Sequence, residues 1–383
     1  MSMPRKPLHI LTPEYPPTRG GIADYTEVIA RALTQAGEDV HVWCPPNGSR
    51  EPADGFHIHP ELGEFRAADL ARAGKLLDHF ERPRRLIVQW VPHGYGFRAM
   101  NLYFCCWLWS RARNGDHVEL MVHEPYLAFW EGTWRQSAAA VVHRVMTMVL
   151  LRAARRVWVA IPAWEMKWKP YTLGRSIPFV WLPISSVLPC PERQAVSDVR
   201  AGLPAPLDSV VGHLGTYGSP VATLLSGVLV ELLGNLSEPR ILLMGAGSRQ
   251  FLESFSLANP QHAARITATG PLVGSELAAH VAACDVLIQP YPDGISSRRT
   301  SAMAGLHLGV PIVTTSGRLT EPFWEGSNAI RMSRVGDWRT FVDHVDRLLQ
   351  HPEERVCLAA RARAFYDGMF DVARTVAALR TAA

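Results

Sequence analysis

The chain has 383 residues, 48% apolar and 19% charged; this excludes a disordered protein and is enough for two or three domains with cores of their own. A formal net charge of +4, without a clustered basic footprint, speaks against a nucleic-acid binder. No apolar run reaches the ~18 residues of a membrane span, and the proline-broken start makes a poor signal peptide, so a cytoplasmic protein is expected.

Short apolar runs alternate with helical patterns, the signature of parallel sheets built from βαβ units. In the first half, strands are predicted at Leu8–Thr12, Val40–Cys44, Leu86–Trp90, Val118–Val122, Val157–Ile161 and Phe179–Leu182. Helices are predicted at Ile22–Ala36, Arg98–Arg113 and Arg135–Arg156. Prolines at 183, 189, 191, 204 and 206 then rule out a central strand or helix interior and mark a domain boundary. Beyond it, strands are predicted at Ser209–Leu214, Arg240–Met244, Ile266–Ala268, Val286–Pro290 and Pro311–Thr315. Helices fall at Val221–Leu233, Ser275–Cys284, Arg299–Leu308 and Asp337–Leu349, and the tail from Glu353 to Ala383 reads as wholly helical. The reading is an α/β protein of two Rossmann-like domains, 1–185 and 186–365, facing across a cleft, with a final helix at 366–383 that crosses back to the first. Ligands of such sheets sit beyond the carboxyl ends of the strands. The six cysteines show no CxxC and no metal-like spacing, and read as small buried residues of a reducing compartment.

Several loops could carry chemistry. Gly20 and Gly21 precede a helix, where backbone amides approach an anion closely, although glycines also serve ordinary turning. His123 and Glu124 follow a strand, as does His93 in a parallel loop; a histidine at such a place is also a frequent structural residue. In the second half, Gly215-Thr216-Tyr-Gly could cradle phosphates. Gly245-Ala-Gly247 starts like a dinucleotide fingerprint, but Gln250 stands at the third glycine and no acid lies about 20 positions on, which disfavours a nicotinamide enzyme. Asp293-Gly-Ile-Ser296-Ser297-Arg298-Arg299 leads from strand to helix. Either serine could cap that helix, leaving free amides beside two arginines, an anion site of hydroxyl, amide and guanidinium donors. Neither a GxSxG elbow nor a DxD sequence occurs.

The order of these pieces resembles a GT-B glycosyltransferase, most similar to family 4. Glu14-Tyr15-Pro-Pro…Gly20-Gly21-Ile-Ala-Asp-Tyr25 resembles the family's first loop and His123-Glu124-Pro its central histidine loop. Ile266 to Leu272 resembles the base-contacting strand, and Asp293-Gly-Ile-Ser-Ser…Gly309-Val-Pro-Ile-Val the donor segment. The resemblance spans nearly the whole chain. It implies retaining transfer from a nucleotide-diphosphate sugar to a glycan, lipid-linked or small-molecule acceptor, with no cofactor and no metal in the chemical step. By resemblance, Gly20 and Gly21 approach the diphosphate, and His123 contacts the sugar near its 6-position. Asp293 holds sugar hydroxyls, Gly294, Ile295 and Ser296 bring amides to sugar and phosphate, and Leu272 meets the base. Glu14, Tyr15, Tyr25, His93 and Glu124 lie on the acceptor side. The sequence departs from the family at its two glutamates, eight positions apart, which are Asp293 and Ser301 here; the second normally holds the ribose. It departs again at an arginine and lysine, replaced by the Gly215–Gly218 stretch, and Arg298 or Arg299 is expected to supply the missing charge.

Two alternatives stay open on the same architecture: a sugar-nucleotide epimerase or hydrolase, and a degenerate transferase kept as a binding scaffold. The aromatic stretch Leu102–Trp109 between Arg98 and Arg113 suits peripheral contact with an anionic bilayer at the inner membrane face, though helices covering a parallel sheet are often this apolar.

Overall fold

The computed structural model describes residues 6–18, 20–46, 55–129, 134–204, 209–236 and 239–381. It divides into two compact units, Met1–Pro183 with Val372–Ala383, and Ile184–Asp371.

The first unit runs β1 (Leu8–Leu11), α1 (Gly21–Gln35), β2 (Val40–Trp43), β3 (His57–His59), α2 (Ala67–Leu77), β4 (Arg85–Trp90), α3 (Leu102–Arg113), β5 (His117–Val122), α4 (Trp134–Ala153), β6 (Ala154–Val159), α5 (Pro162–Trp168) and β7 (Phe179–Trp181). Its strands are all parallel, in the order β3-β2-β1-β4-β5-β6-β7. Leu8–Leu11 and Val40–Trp43 are buried throughout, as a parallel strand covered on both faces requires. Sequence order reverses between β1 and β4, which opens a crevice at their carboxyl ends.

The second unit repeats the plan. It runs α6 (Arg193–Ala201), β8 (Val210–Leu214), α7 (Ser219–Asn235), β9 (Arg240–Met244), α8 (Ser248–Ala258), β10 (Ile266–Ala268), α9 (Gly274–Ala282), β11 (Val286–Gln289), α10 (Thr300–His307), β12 (Ile312–Ser316), α11 (Phe323–Ser327), β13 (Arg331–Arg334), α12 (Trp338–Gln350) and α13 (Pro352–Met369). The parallel order is β10-β9-β8-β11-β12-β13, with its reversal between β8 and β11. Val211, Leu243, Ile288 and Val313 of the sheet pack in one core with Leu229 of α7 and Phe341 of α12.

The last helix, α14 (Val372–Thr381), belongs to the first unit. Arg380 Nε bonds Glu38 Oε1 at 2.7 Å, and Arg85 donates to the Leu379 carbonyl. The tail is therefore not one helix. It breaks after Met369, where Phe370 stacks on Trp324 with centroids 5.5 Å apart.

Other expectations are corrected in the same way. Helix α3 starts at Leu102 rather than Arg98, because Asn101 caps it by accepting from the Phe104 amide at 2.9 Å and Phe97, Arg98 and Ala99 all have positive φ. Helix α4 stops at Ala153 and the chain enters β6 at once, so Arg155 and Arg156 sit on a strand. Of the cysteines, Cys44, Cys105 and Cys284 are buried, but Cys106, Cys190 and Cys357 are exposed; all six are free thiols. Among the described residues no helix is long and apolar enough to cross a membrane.

Candidate functional site

In the first unit, the loops after β1, β4 and β5 leave adjacent strand ends. Glu14 reaches back over the first of them. Its Oε1 accepts from the Ile22 and Ala23 amides, both at 3.2 Å, and so serves α1 as the cap that Gly20 has no side chain to supply. A carboxylate there is favoured by the free amides and by the helix dipole. The helix-end amides of Ile22 and Ala23, next to the Gly20 and Gly21 expected to approach a diphosphate, thus already hold Glu14, and a Cβ on Gly20 would overlap that carboxylate, whereas Gly21 faces open space.

Tyr15 and Tyr25 are buried rather than presented to an acceptor. Tyr25 stands edge-on to His123, with centroids 5.2 Å apart, and its hydroxyl bonds Thr375 of α14. His123 is 7% exposed. Its Nε2 lies 2.6 Å from Gln89 Oε1, and its carbonyl accepts from the Trp164 indole at 3.0 Å. Burial lowers the His123 pKa from 6.5 to about 3, so the ring is neutral at physiological pH. Facing an acceptor oxygen, Nε2 carries the proton, and Nδ1 is left as a lone-pair acceptor. His93 is exposed and Glu124 half-buried.

In the second unit, the loops after β8, β9 and β10 lie backbone to backbone. The Gly215 amide donates to the Met244 carbonyl at 3.1 Å, and the Gly245 amide to the Gly270 carbonyl at 3.3 Å. Gly245 has φ +114°, and a Cβ there would overlap the Gly215 carbonyl oxygen. The dinucleotide-like spelling is therefore explained by close packing of loops. Thr216 is exposed. Leu272 lines an open groove of about 500 Å³ with Leu203, Arg249, Thr267, Thr269 and His280; no residue of the Asp293 loop contributes to it.

Asp293 follows β11. Arg318 Nε lies 2.7 Å from its Oδ1 and Arg298 Nη2 lies 3.7 Å from its Oδ2, while the Arg299 guanidinium sits 4.5 Å over the Tyr291 ring. Two guanidinium groups thus flank one carboxylate, a locally positive site. The amides of Gly294 and Ile295 do not remain for a ligand. The first closes a turn to the Tyr291 carbonyl at 3.0 Å, and the second bonds the Thr315 carbonyl at 2.8 Å. Ser297 is also engaged, because its amide and hydroxyl donate to Glu321 Oε1 at 3.0 and 2.5 Å. Burial raises the Glu321 pKa against the pull of those bonds. Neither serine caps α10; Arg299 stands at that position and no side chain caps it. The Ser296 hydroxyl differs from all of these: it is fully buried and, among the described residues, has no hydrogen-bond partner. An unsatisfied buried hydroxyl costs about 1–3 kcal/mol, which a bound group would recover. Ser301 Oγ meets the Tyr291 hydroxyl at 2.7 Å and Gln289 Oε1 at 3.3 Å, an internal network where the family would place a ribose-holding glutamate.

Three residues with roles here were not singled out from sequence. Gln89 had a visible signal, as the one polar residue in the buried run Leu86–Trp90. Arg318 and Glu321 had none, because only the pairing of β11 with β12 brings their loop against Asp293 and Ser297.

Residues 209–351 match a family model described as glycosyl transferases group 1. No curated protein sequence matches. Among solved structures, the chain is similar to sucrose-phosphate synthase from Thermosynechococcus elongatus, with 15% identity over 98% of both chains and a TM-score of 0.77. It is also similar to HepE from Anabaena in complex with UDP and glucose, with 14% identity, 98% of both chains and a TM-score of 0.68. The α,α-trehalose-phosphate synthase (UDP-forming) from Burkholderia xenovorans shares 10% identity over 98% of this chain and 99% of that one, with a TM-score of 0.69. Such identities establish the fold, and they do so across both units. Residues 209–351 thus match the glycosyl transferases group 1 model within a two-unit, Rossmann-like GT-B fold, and the enzyme class these likenesses support is glycosyltransferase.

Proposed function

We propose that the protein is a retaining, family 4-like enzyme that moves a sugar from a nucleotide-diphosphate sugar to an acceptor hydroxyl with no metal in the chemical step. The observation that carries this reading is the pair of guanidinium groups of Arg298 and Arg318 at Asp293, in the loop that also holds the unpartnered Ser296 hydroxyl. In the reaction, the bond from the anomeric carbon to the phosphate oxygen breaks and a bond to the acceptor oxygen forms on the same face. The departing phosphate takes the acceptor proton. Charge grows on the diphosphate, so preorganised guanidinium and hydroxyl donors stabilise the transition state more than the ground state. Asp293 accepts from sugar hydroxyls, and in the first unit His123 Nδ1 stands as a lone-pair acceptor. The base edge meets the groove at Leu272.

Uridine diphosphate sugars come first among donors, since the similar HepE is in complex with UDP and glucose and the similar trehalose-phosphate synthase is UDP-forming. A thermal-shift screen against UDP, GDP, ADP and TDP sugars should give one clear stabilisation, followed by nucleoside diphosphate release that His123→Ala and Asp293→Ala abolish. No stabilisation by any donor and no release would overturn the proposal. Products from donor alone distinguish the epimerase or hydrolase, and release that depends on His123 and Asp293 dismisses a non-catalytic scaffold.

For the acceptor, the exposed faces of Leu102, Tyr103 and Trp109 on α3, with Phe97 just ahead of it, favour a lipid-linked molecule reached from the inner face of a membrane by a cytoplasmic enzyme. Arg113 lies 5.7 Å from the Trp109 ring, placing positive charge beside the aromatic surface. Co-sedimentation should be stronger with anionic than with neutral liposomes; equal, weak binding to both would sink the membrane contact.

A further inference from the structure

Three histidines, His9, His41 and His57, lie side by side near the amino end of the first sheet, where neither sugar nor diphosphate is proposed to bind. His9, His41 and His57 are in register across β1, β2 and β3, so their side chains share one face. Asp39 lies two positions before His41. His41 Nε2 is 3.3 Å from Asp39 Oδ1, and the His57 ring stacks on that of His41 at 4.7 Å. Among the described residues, Asp39, His41 and His57 form the group of three able to converge on an ion, with ligand atoms all within 4.8 Å of one another. We propose that these three residues bind a single divalent transition-metal ion of the zinc class.

The donor set suits that ion. Two imidazoles and one carboxylate are a common zinc set, with the remaining position left to water. Asp39 and His57 are exposed while His41 is buried, so the ion enters from solvent and His57 turns its ring to meet it. Behind the site, Phe80 stands edge-on to His9 and His41 at 4.6 and 4.7 Å, walling it off from the core. The supporting shell is also present. His41 Nδ1 lies 2.8 Å from His59 Nε2, and His59 Nδ1 lies 4.0 Å from Glu61 Oε2. When His41 Nε2 takes the ion, its proton resides on Nδ1 and is donated to His59, whose own proton faces the Glu61 carboxylate. A ligating histidine is commonly held by such an outer hydrogen bond. The bound ion ties β3, the edge strand, to β2. The site lies at the opposite strand ends from the loops of Glu14 and His123 and holds independently of the transfer reaction.

The test uses the full chain without an affinity tag, stripped of metal and titrated with Zn²⁺, and with Co²⁺ as a coloured probe. One equivalent should bind, Co²⁺ should give visible d–d absorption, and Zn²⁺ should raise the thermal midpoint in proportion to its occupancy. Loss of an outer-shell partner costs roughly 10–100-fold in affinity; His59→Ala should fall in that range, and His57→Ala, which removes an exposed ligand from the edge strand, should lose more. Absence of stoichiometric uptake, or uptake by His57→Ala equal to that of the parent, would overturn the site.

Discussion

Replacing Arg298 and Arg318 together with glutamine is expected to lower kcat/KM for the nucleotide sugar by about 10³-fold. Both guanidinium groups flank Asp293, at 3.7 and 2.7 Å, and in the proposed reaction they face a diphosphate whose charge rises as the sugar leaves. Arg298 is the stronger contributor, because its side chain is 13% exposed against 60% for Arg318, and a desolvated charge acts through a lower effective dielectric. Arg299→Gln should weigh less, since that group packs over the Tyr291 ring. Arg298→Lys keeps the charge but loses the planar fork, so it should recover part of the loss. Steady-state release of nucleoside diphosphate, measured with whichever donor stabilises the protein, reads these differences. Full turnover in the double variant would show that the cluster is structural and the diphosphate is held elsewhere.

Asp116→Asn should destabilise the first unit by about 3–5 kcal/mol, the typical cost of removing one partner from a buried ion pair. The Asp116 side chain is fully buried, and it bonds Arg84 Nε through Oδ1 at 2.7 Å and Arg111 Nε through Oδ2 at 2.6 Å. Arg84 itself is 1% exposed, so the variant leaves a guanidinium out of water with half of its countercharge. The other half is Asp78, which accepts from Arg84 Nη1 at 2.7 Å and Arg111 Nη2 at 2.9 Å; the Arg111 hydrogen bond chiefly holds its carboxyl at about 2. With a side chain 45% exposed, Asp78 is replaced at lower cost, because water screens what remains. Urea unfolding followed by far-ultraviolet circular dichroism compares the two variants. An Asp116→Asn midpoint indistinguishable from the parent would mean the pair contributes no net stability.

Both parallel sheets are legible in the sequence. Leu8–Leu11, Val40–Trp43, Leu86–Trp90, Val118–Val122 and Val286–Gln289 are continuous buried runs, and a strand covered on both faces has to be such a run. The edge strands β3 and β13 are not legible, because His57-Ile-His59 and Arg331-Met-Ser-Arg334 carry polar residues that an edge tolerates. His123 and Asp293 could be named as candidates because each ends a recognisable strand. Which groups around them stay open to a ligand was decided by tertiary structure. Gly294, Ile295 and Ser297 each lend an amide to the protein, the last two to Thr315 and Glu321, some twenty residues on, while Glu14 fills the helix end beside Gly20. Ser296, spelled identically to Ser297, is the one of the two whose hydroxyl has no partner among the described residues. Burial of a strand follows from side chains within a few positions. A hydrogen-bond partner or counter-ion follows from which loops the strand order places side by side, and that order has no local spelling.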